Sequence, residues 1–323
     1  MRHIFLIPFF AAVTLTTACS TVQPPPQAMS PGSSSKPTAC QKADAMWNDK
    51  ILPTVYAELP PLTDPGVGDV VKLAQTGFTI RSLTNDGDEM DEGRRKVVHA
   101  WGAEARFRFV PGKGGHGYTG IYQSASDCVI GRLSVAAKPT KNNFIPALAL
   151  KFFITGHDSA NLQVMNSTSG QSSHNFFEMP FSNIIPPAES PQQRLLQSFF
   201  RKAAEAFGAK DPDPAHLTVE HLAKIKVDGG EVANPKWPYR LVFKPTAAAA
   251  ALMQGATVET DFRANLARYP AGQAMYDVYG LDEGESAAEP PARKLLGQLI
   301  PTSGIVASSY GDERLNFRHN MER

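Results

Sequence analysis

The fold of this chain is organised around the stretch Arg94–Ala103, which reads RRKVVHAWGA. A short β-prone run leads to His99, with a cluster of cations before it and small residues after it. A histidine at the end of a strand is more often structural than chemical, because perturbed titratable groups mark sites only statistically. The order of the segments that follow is what favours a chemical role here.

Three segments after this stretch have the patterns of β-strands. They are Ala105–Val110, Val129–Val135 and Leu148–Ile154. The first alternates between apolar and charged residues, which predicts a half-buried strand. The last is nearly all apolar, which predicts a buried strand. The glycine-rich segment Gly112–Gly120 matches no P-loop or dinucleotide fingerprint, so we interpret it as a turn. A polar stretch, Asn161–Asn175, then leads to Phe176 and Phe177.

Helix patterns flank these strands and alternate with further strands later in the chain. Predicted helices cover 44–56, 65–76, 190–208, 217–226 and 261–267, and the alanine run 247–251 is helix-competent. Further strands are predicted at 239–243, 275–279, 295–299 and 304–308. The predicted strands come first, helices alternate with strands later, and the elements do not follow a repeated β-α-β order. This order predicts an α+β fold with an antiparallel β-barrel and flanking helices.

The N-terminus has the pattern of an export signal. Residues 1–18 combine a basic start, a short apolar run and small residues before Cys19. The cysteine after Thr-Ala resembles a bacterial lipobox, which implies lipidation of Cys19 and a membrane anchor. The alternative is an ordinary signal peptide that is cleaved nearby. In either case we expect an exported protein, with a Pro/Ser-rich tether over 19–38 and one barrel domain over 39–323.

Composition excludes several classes of function. There are 32 Lys and Arg residues against 31 Asp and Glu, so the chain lacks the basic footprint of a nucleic-acid binder. It has no Gly-x-Ser-x-Gly, His-Glu-x-x-His or Cys-x-x-Cys motif. If Cys19 carries lipid, Cys40 and Cys128 are left either as a disulfide or as two buried thiols.

Four sequence blocks, taken in order, resemble the core barrel of the haem catalases. They are RKVVHAWGA ending at Ala103, Arg132-Leu133-Ser134, Ala149-Leu150-Lys151-Phe152, and GQSSHNFF over 170–177. The similarity runs from about Arg94 to the C-terminus. The run SSYGDERL at 308–315 resembles the small bacterial catalase-like lipoprotein branch.

The resemblance implies a role for each matched residue. His99 corresponds to the distal base, and a neutral imidazole suits proton transfer near pH 7. Ser134 would hold the imidazole ring, and Gln171 would supply the amide that orients peroxide. Arg132 would pair with a haem propionate.

Two further matched residues would lie near the same cofactor. Lys96 stands where catalases usually have an arginine, and it retains the positive charge. Phe176 would form part of the dry distal wall. Two structural alternatives stay open: Phe176 as a core residue and Arg132 as a solvated strand charge.

The iron ligand is the point at which the chain departs from the family. Catalases hold iron through a proximal tyrosinate, and the chain resembles a member truncated before that helix. Arg268-Tyr269-Pro270 is interpreted as a helix-to-strand connector, and Tyr310 and His319 are the other candidates. The proximal ligand therefore stays unassigned.

Three functions follow from this resemblance. The first is a haem-binding envelope protein acting on hydrogen peroxide or organic hydroperoxides. The second is a non-catalytic barrel that binds haem or another apolar ligand. The third is a barrel without a cofactor. A homo-oligomer is left open, and no nucleic-acid partner is expected.

Overall fold

A closed, antiparallel eight-stranded β-barrel forms the centre of the protein. The computed structural model describes residues 37–54, 101–113, 115–135, 146–157, 159–166, 176–183, 214–255, 262–307, 315 and 317. Predictions that concern Cys19, Lys96, His99 and Gln171 lie outside the described residues. The same holds for the predicted signal peptide and the helices predicted at 65–76 and 190–208.

The strands follow one another around the barrel in chain order. They are β1 Trp101–Pro111, β2 Ser126–Val135, β3 Pro146–Phe152, β4 Ala160–Asn166, β5 Phe181–Ser182, β6 Arg240–Pro245, β7 Tyr276–Leu281 and β8 Leu295–Pro301. Each strand pairs antiparallel with the next, and β8 returns to β1 and closes the barrel. A ninth strand, β9 (Val306–Ala307), pairs with β1 next to the β8 contact. The predicted α+β antiparallel barrel with flanking helices is confirmed.

Side-chain alternation decides which residues fill the barrel. On β1, Phe107 and Phe109 are buried in the main core, whereas Arg108 is exposed on the opposite face. Gly131 on β2 lies beneath the ring of Phe107, which occupies the space that a Cβ at position 131 would need. This small residue therefore allows the large one on the neighbouring strand to turn inward.

Short helices pack around the barrel. They are α1 Ala39–Ala45, α2 Pro214–Lys224, α3 Ala247–Leu252 and α4 Phe262–Ala267. Helix α2 packs against β4 and the 3₁₀ turn Gly120–Gln123, where the hydroxyl of Tyr122 donates to the carbonyl of Val219 at 2.9 Å. Within the described ranges, no helix has the length and apolar character needed to cross a bilayer.

The first helix begins earlier than the sequence pattern predicts. Thr38 caps it, and Gln41 completes a reciprocal capping box, so α1 starts at Ala39 instead of Asp44. It continues through a π-helical turn, Met46–Ile51, and a 3₁₀ turn, Leu52–Thr54. The side-chain oxygen of Thr38 satisfies an amide of the first turn, which explains the earlier start.

This helical segment covers part of the barrel's outer surface. Met46, Trp47 and Ile51 are buried, and they share a second apolar cluster with Ile130 and Phe153 of the barrel wall. A disulfide joins Cys40 of α1 to Cys128 of β2. Of the two alternatives for these cysteines, the structure therefore has the disulfide.

Two strands were absent from the sequence interpretation. The polar stretch that begins at Asn161 contains β4, in which Leu162 and Val164 face the core while Asn161 and Gln163 alternate with them. Polar residues on the outward face hid the period-two pattern. Strand β5 has only two residues, too few to show a period at all.

Candidate functional site

Buried polar side chains on the outside of β1–β3 form the candidate site. We call this surface the outer polar face and define it by Gly102, Glu104, Arg132, Ser134, Ala147 and Ala149. The strand register places Gly102, Ser134 and Ala147 in one row across the sheet. Glu104, Arg132 and Ala149 form the next row. The odd-numbered neighbours of these residues on β1 and β2, such as Ala103 and Leu133, point into the barrel core. Because successive strand residues face opposite sides of a sheet, the outer polar face lies on the outside of the barrel.

Arg132 lies flat against the neighbouring strand. Only 2% of the residue is exposed. A Cβ atom at position 102 would come within 2.5 Å of the guanidinium carbon of Arg132, so the side chain passes directly over Gly102. The arginine is therefore buried in a groove that exists only because position 102 is a glycine. A solvated strand charge, the structural alternative for Arg132, does not match this burial.

Glu104 contributes a buried carboxylate to the same face. It is fully buried and stands directly opposite Arg132 in the antiparallel register. Burying a carboxylate in an apolar environment is costly unless opposite charge or hydrogen bonds compensate for it. Directly opposed cross-strand residues are close neighbours. The register thus brings opposite charges together on one face. Sequence patterns gave no sign of Glu104 because the pairing partner lies 28 positions further along the chain.

Of the two rows, Ser134 stands in the one nearer to the beginning of β1. Its partner across the sheet is Gly102, and it is 4% exposed. His99 lies outside the described residues, but it precedes Trp101, the first residue of β1, by two positions. Of the predicted site residues, Arg132 and Ser134 are brought together on one face.

A second buried cation lies further along the outside of the barrel. The Nζ of Lys151, on β3, donates to the Oγ of Ser159 at 2.6 Å, and both residues are buried. The same ammonium lies 5.9 Å from the ring centroid of Phe153. The outer surface of β1–β4 therefore has two kinds of buried region. One carries polar side chains such as Lys151 and Ser159, and the other is apolar and lies beneath α1.

Phe176 packs elsewhere in the protein. Its ring stacks on Phe181 at 6.1 Å and lies 5.6 Å from Phe262. Its backbone carbonyl accepts a hydrogen bond from the hydroxyl of Tyr276. Since Phe176 belongs to the main barrel core, the structure does not bring it onto the face that carries Arg132 and Ser134.

Tyr269 has the surroundings of a structural tyrosine. It lies between α4 and β7, as the predicted helix-to-strand connector requires. Its ring stacks on Phe177 at 5.5 Å, and its hydroxyl donates to the carbonyl of Ala274 at 2.9 Å. Burial raises the pKa of Tyr269 to about 12, which keeps the phenol protonated at neutral pH. These features argue against Tyr269 as a tyrosinate ligand.

The described part of the chain contains no set of side chains arranged to bind a metal ion. It contains no cluster of three or more His, Cys, Asp or Glu side chains with metal-binding geometry. Tyr310 and His319 lie outside the described residues. On the outward positions described in β1–β4, there is also no tyrosine or histidine.

A separate ionic cluster ties the loop after β1 to the β7–β8 connection. The hydroxyl of Tyr118 donates to a carboxylate oxygen of Asp282 at 2.8 Å, and Lys294 forms an ion pair with the same carboxylate. Hydrogen bonds from Lys294 and Tyr118 hold the pKa of Asp282 below its usual value. Local sequence patterns do not predict this cluster, because its members come from separate segments of the chain.

Comparison with known proteins gives a limited result. No protein-family model and no curated protein matches the chain. A solved structure described as "Structure of a bacterial catalase" is similar with 14% sequence identity and a TM-score of 0.28. The match covers 91% of this chain and 60% of that chain, so the chain spans less than two thirds of the catalase's length. The fold and the site define an antiparallel barrel protein with a buried polar outer face and weak similarity to a bacterial catalase.

Proposed function

We propose that the protein is an exported, catalase-like protein that binds haem against the outer polar face. The observation that carries the proposal is the position of Arg132: a buried guanidinium lies over Gly102, in the row next to Ser134. Buried arginine is costly unless it meets an anion. A carboxylate of a ligand would supply an anion at this guanidinium.

The residues on this face fit the peripheral requirements of a haem group. Arg132 would hold a propionate, because its guanidinium presents parallel donors that match a carboxylate. Ala147 and Ala149 carry side chains of one carbon and are partly exposed, so they leave room for a flat ligand above β3. An axial ligand would come from residues outside the described ranges, with Tyr310 and His319 as candidates.

The bound haem would supply an iron atom at which a peroxide is activated. The chain would supply the proton transfer. In its neutral form His99 would accept a proton from one peroxide oxygen and return it to the other. The hydroxyl of Ser134 would hold one ring nitrogen and so set the tautomer at the other. The amide of Gln171 would orient the substrate.

Lys96 and Phe176 have weaker support in this proposal. Lys96 would add positive charge near the acidic edge of the ligand. The described contacts of Phe176 are with core aromatic rings, which favour a structural role over a place in the distal wall.

Haem titration of the purified full-length protein tests the proposal. We expect a Soret band, and Arg132→Leu should weaken haem binding about 10- to 100-fold, since hydrogen bonds to charged groups contribute about 1.5–3 kcal/mol. Arg108→Leu is the matched control because Arg108 is exposed on β1. Circular dichroism verifies that each variant is folded.

Two further outcomes separate the proposal from its competitors. His99→Ala should abolish peroxide turnover while leaving the Soret band. Absence of haem binding by the wild type at every concentration tested would refute the proposal and favour a barrel without a cofactor.

A second candidate is a non-catalytic barrel that binds haem or another apolar ligand. It is favoured by Tyr269, which is engaged in the core and not available as a tyrosinate. This candidate predicts haem uptake with oxygen evolution no faster than that of free haem. Efficient peroxide turnover would eliminate it.

Export and lipidation belong to the same proposal. The Cys40–Cys128 disulfide supports an oxidising compartment, because structural disulfides are rare in the cytosol. Lipidation of Cys19 predicts that the wild type is recovered with membranes and that Cys19→Ala is recovered in the soluble fraction. Equal recovery of both forms with membranes would contradict a lipid anchor at this residue.

A further inference from the structure

A pocket opens beside the disulfide that joins α1 to the barrel. Its volume is about 360 Å³. It is lined by Thr38, Ala39, Cys40, Ser124, Cys128, Thr155, Lys226, Val227 and Asp228. This volume lies at the lower end of the range for small-molecule sites, so the pocket can admit a small thiol-containing molecule.

The two cysteines in this pocket differ in accessibility. Cys128 lies within β2 and is only 4% exposed, whereas Cys40 is partly exposed at the start of α1. Thiol–disulfide exchange requires a thiolate to reach one of the two sulfur atoms. Both cysteines line the pocket, and Cys40 is the more exposed residue, so we expect an incoming thiolate to attack its sulfur.

Two opposite charges, Lys226 and Asp228, line the pocket. Lys226 is an exposed cation on the lining. Asp228 also lines the pocket, but its Oδ1 accepts a hydrogen bond from the amide of Gly230 at 3.0 Å, within its own turn. This bond leaves the negative charge of Asp228 in place, and both residues are exposed. The ammonium of Lys226 is the cation that an anionic thiol in the pocket would meet.

We propose that the Cys40–Cys128 disulfide is a thiol-exchange site for a small anionic thiol of the glutathione type. The incoming thiolate attacks the Sγ of Cys40 and forms a mixed disulfide with it. The bond between the two cysteines breaks, and Cys128 leaves as a thiolate that takes a proton from water. The incoming sulfur is oxidised as the Cys128 sulfur is reduced, so no other oxidant is needed.

Exchange at this site would release only the beginning of α1. Besides the disulfide, the start of α1 is held by a bond from the amide of Ala39 to the Oγ1 of Thr155 at 3.3 Å and by the burial of Ala39 and Ala43 in the apolar cluster. Met46, Trp47 and Ile51 stay packed on the barrel wall further along the segment. The disulfide therefore controls how firmly the barrel holds the segment that follows the predicted tether, and this inference is independent of haem binding.

Peptide mapping after treatment of the oxidised full-length protein with excess reduced glutathione tests the proposal under native conditions. We expect the glutathione adduct on Cys40 and a free thiol at Cys128. Hydrogen–deuterium exchange should become faster over residues 38–43, whereas β2 stays protected. An adduct on Cys128, exchange only in denaturant, or simultaneous loss of protection in α1 and β2 would each overturn the proposal.

A charge variant tests the role of the pocket separately. Lys226→Glu should slow the reaction with glutathione by about two- to threefold, which is the size of a screened, exposed charge effect. The reaction with uncharged 2-mercaptoethanol should keep its rate. Lys244→Glu is the control, because Lys244 lies on β6, four strands from β2 in either direction around the barrel. Equal slowing by both variants, or no slowing by Lys226→Glu, would contradict recognition of an anionic thiol in this pocket.

Discussion

Replacement of Gly102 by alanine should disturb the outer polar face directly. The new methyl group would come within 2.5 Å of the guanidinium of Arg132, a distance far below van der Waals contact. The arginine is 2% exposed and has little room to move aside. We therefore expect either the arginine or the β1 backbone to shift, with a loss of stability.

The size of the loss follows from two opposing effects. Overpacking a buried site costs about 1–3 kcal/mol. Replacing glycine with alanine in a strand returns about 0.5–1 kcal/mol of backbone entropy. The free energy of unfolding of Gly102→Ala should therefore fall by about 0–2.5 kcal/mol, which corresponds to a decrease in Tm of up to about 10 °C.

Urea unfolding, followed by tryptophan fluorescence with the disulfide intact, measures this change. Gly304→Ala is the matched control. A Cβ at position 304 would meet nothing within 4 Å, so its effect should stay within about 0.5 kcal/mol. In an Arg132→Ala background the overpacking disappears, and Gly102→Ala should no longer destabilise the protein.

The double-mutant comparison can refute this reasoning. We expect a coupling energy of about 1–3 kcal/mol between positions 102 and 132, equal to the overpacking cost. If Gly102→Ala has the same effect in both backgrounds, within about 0.5 kcal/mol, the guanidinium does not lie over Gly102 in solution. The geometric basis of the proposed anion site would then be lost.

Three other perturbations have defined outcomes. Replacing both Cys40 and Cys128 by alanine should lower the free energy of unfolding by up to about 4.6 kcal/mol, the loop-entropy value for a separation of 88 residues; urea titration measures it, and an unchanged midpoint would contradict it. The pKa of Asp282 is lowered by the hydrogen bond from Lys294, so wild-type stability should decline as pH falls below the normal carboxyl range and through the lowered pKa. Asp282→Asn should lack this acid-dependent loss, which unfolding curves between about pH 5 and pH 2 would reveal, and identical pH profiles would refute the linkage. Tyr269→Phe should cost about 0.5–1.5 kcal/mol for one lost hydrogen bond and leave any Soret band unchanged, whereas a shifted band would assign the phenol to the cofactor.

Local sequence patterns predicted most of the barrel strands. The segment 105–110 lies within β1, and 129–135 lies within β2. The alanine run at 247–251 forms α3, with the Thr246 side chain capping it at the Ala249 amide. These elements were predictable because hydrophobic period and capping chemistry act within a few residues.

The elements that were missed had weak local signals. Strand β4 carries polar residues on its outward face, so Asn161 and Gln163 masked the inward pair Leu162 and Val164. Helix α1 starts at a capping box instead of at the first apolar residue of its pattern. In both cases tertiary or capping interactions outweighed the apolar period.

Local patterns likewise predict only some of the residues of the candidate site. Alternation along β2 alone puts Arg132 and Ser134 on one face, since they are two residues apart. It does not reveal which face is buried by other parts of the chain, and it gives no reason to add Gly102 or Glu104. Those residues join the site through the register between β1 and β2.

The sequence by itself therefore determined the strand segments, their alternation and the order that indicated an antiparallel barrel. Only the tertiary structure decided which residues face each other, such as Glu104 and Arg132, and that Cys40 pairs with Cys128. The physical reason is one of range. Strand alternation is a property of neighbouring residues, whereas register, barrel closure and the burial of Arg132 over Gly102 arise when segments far apart in the chain pack together.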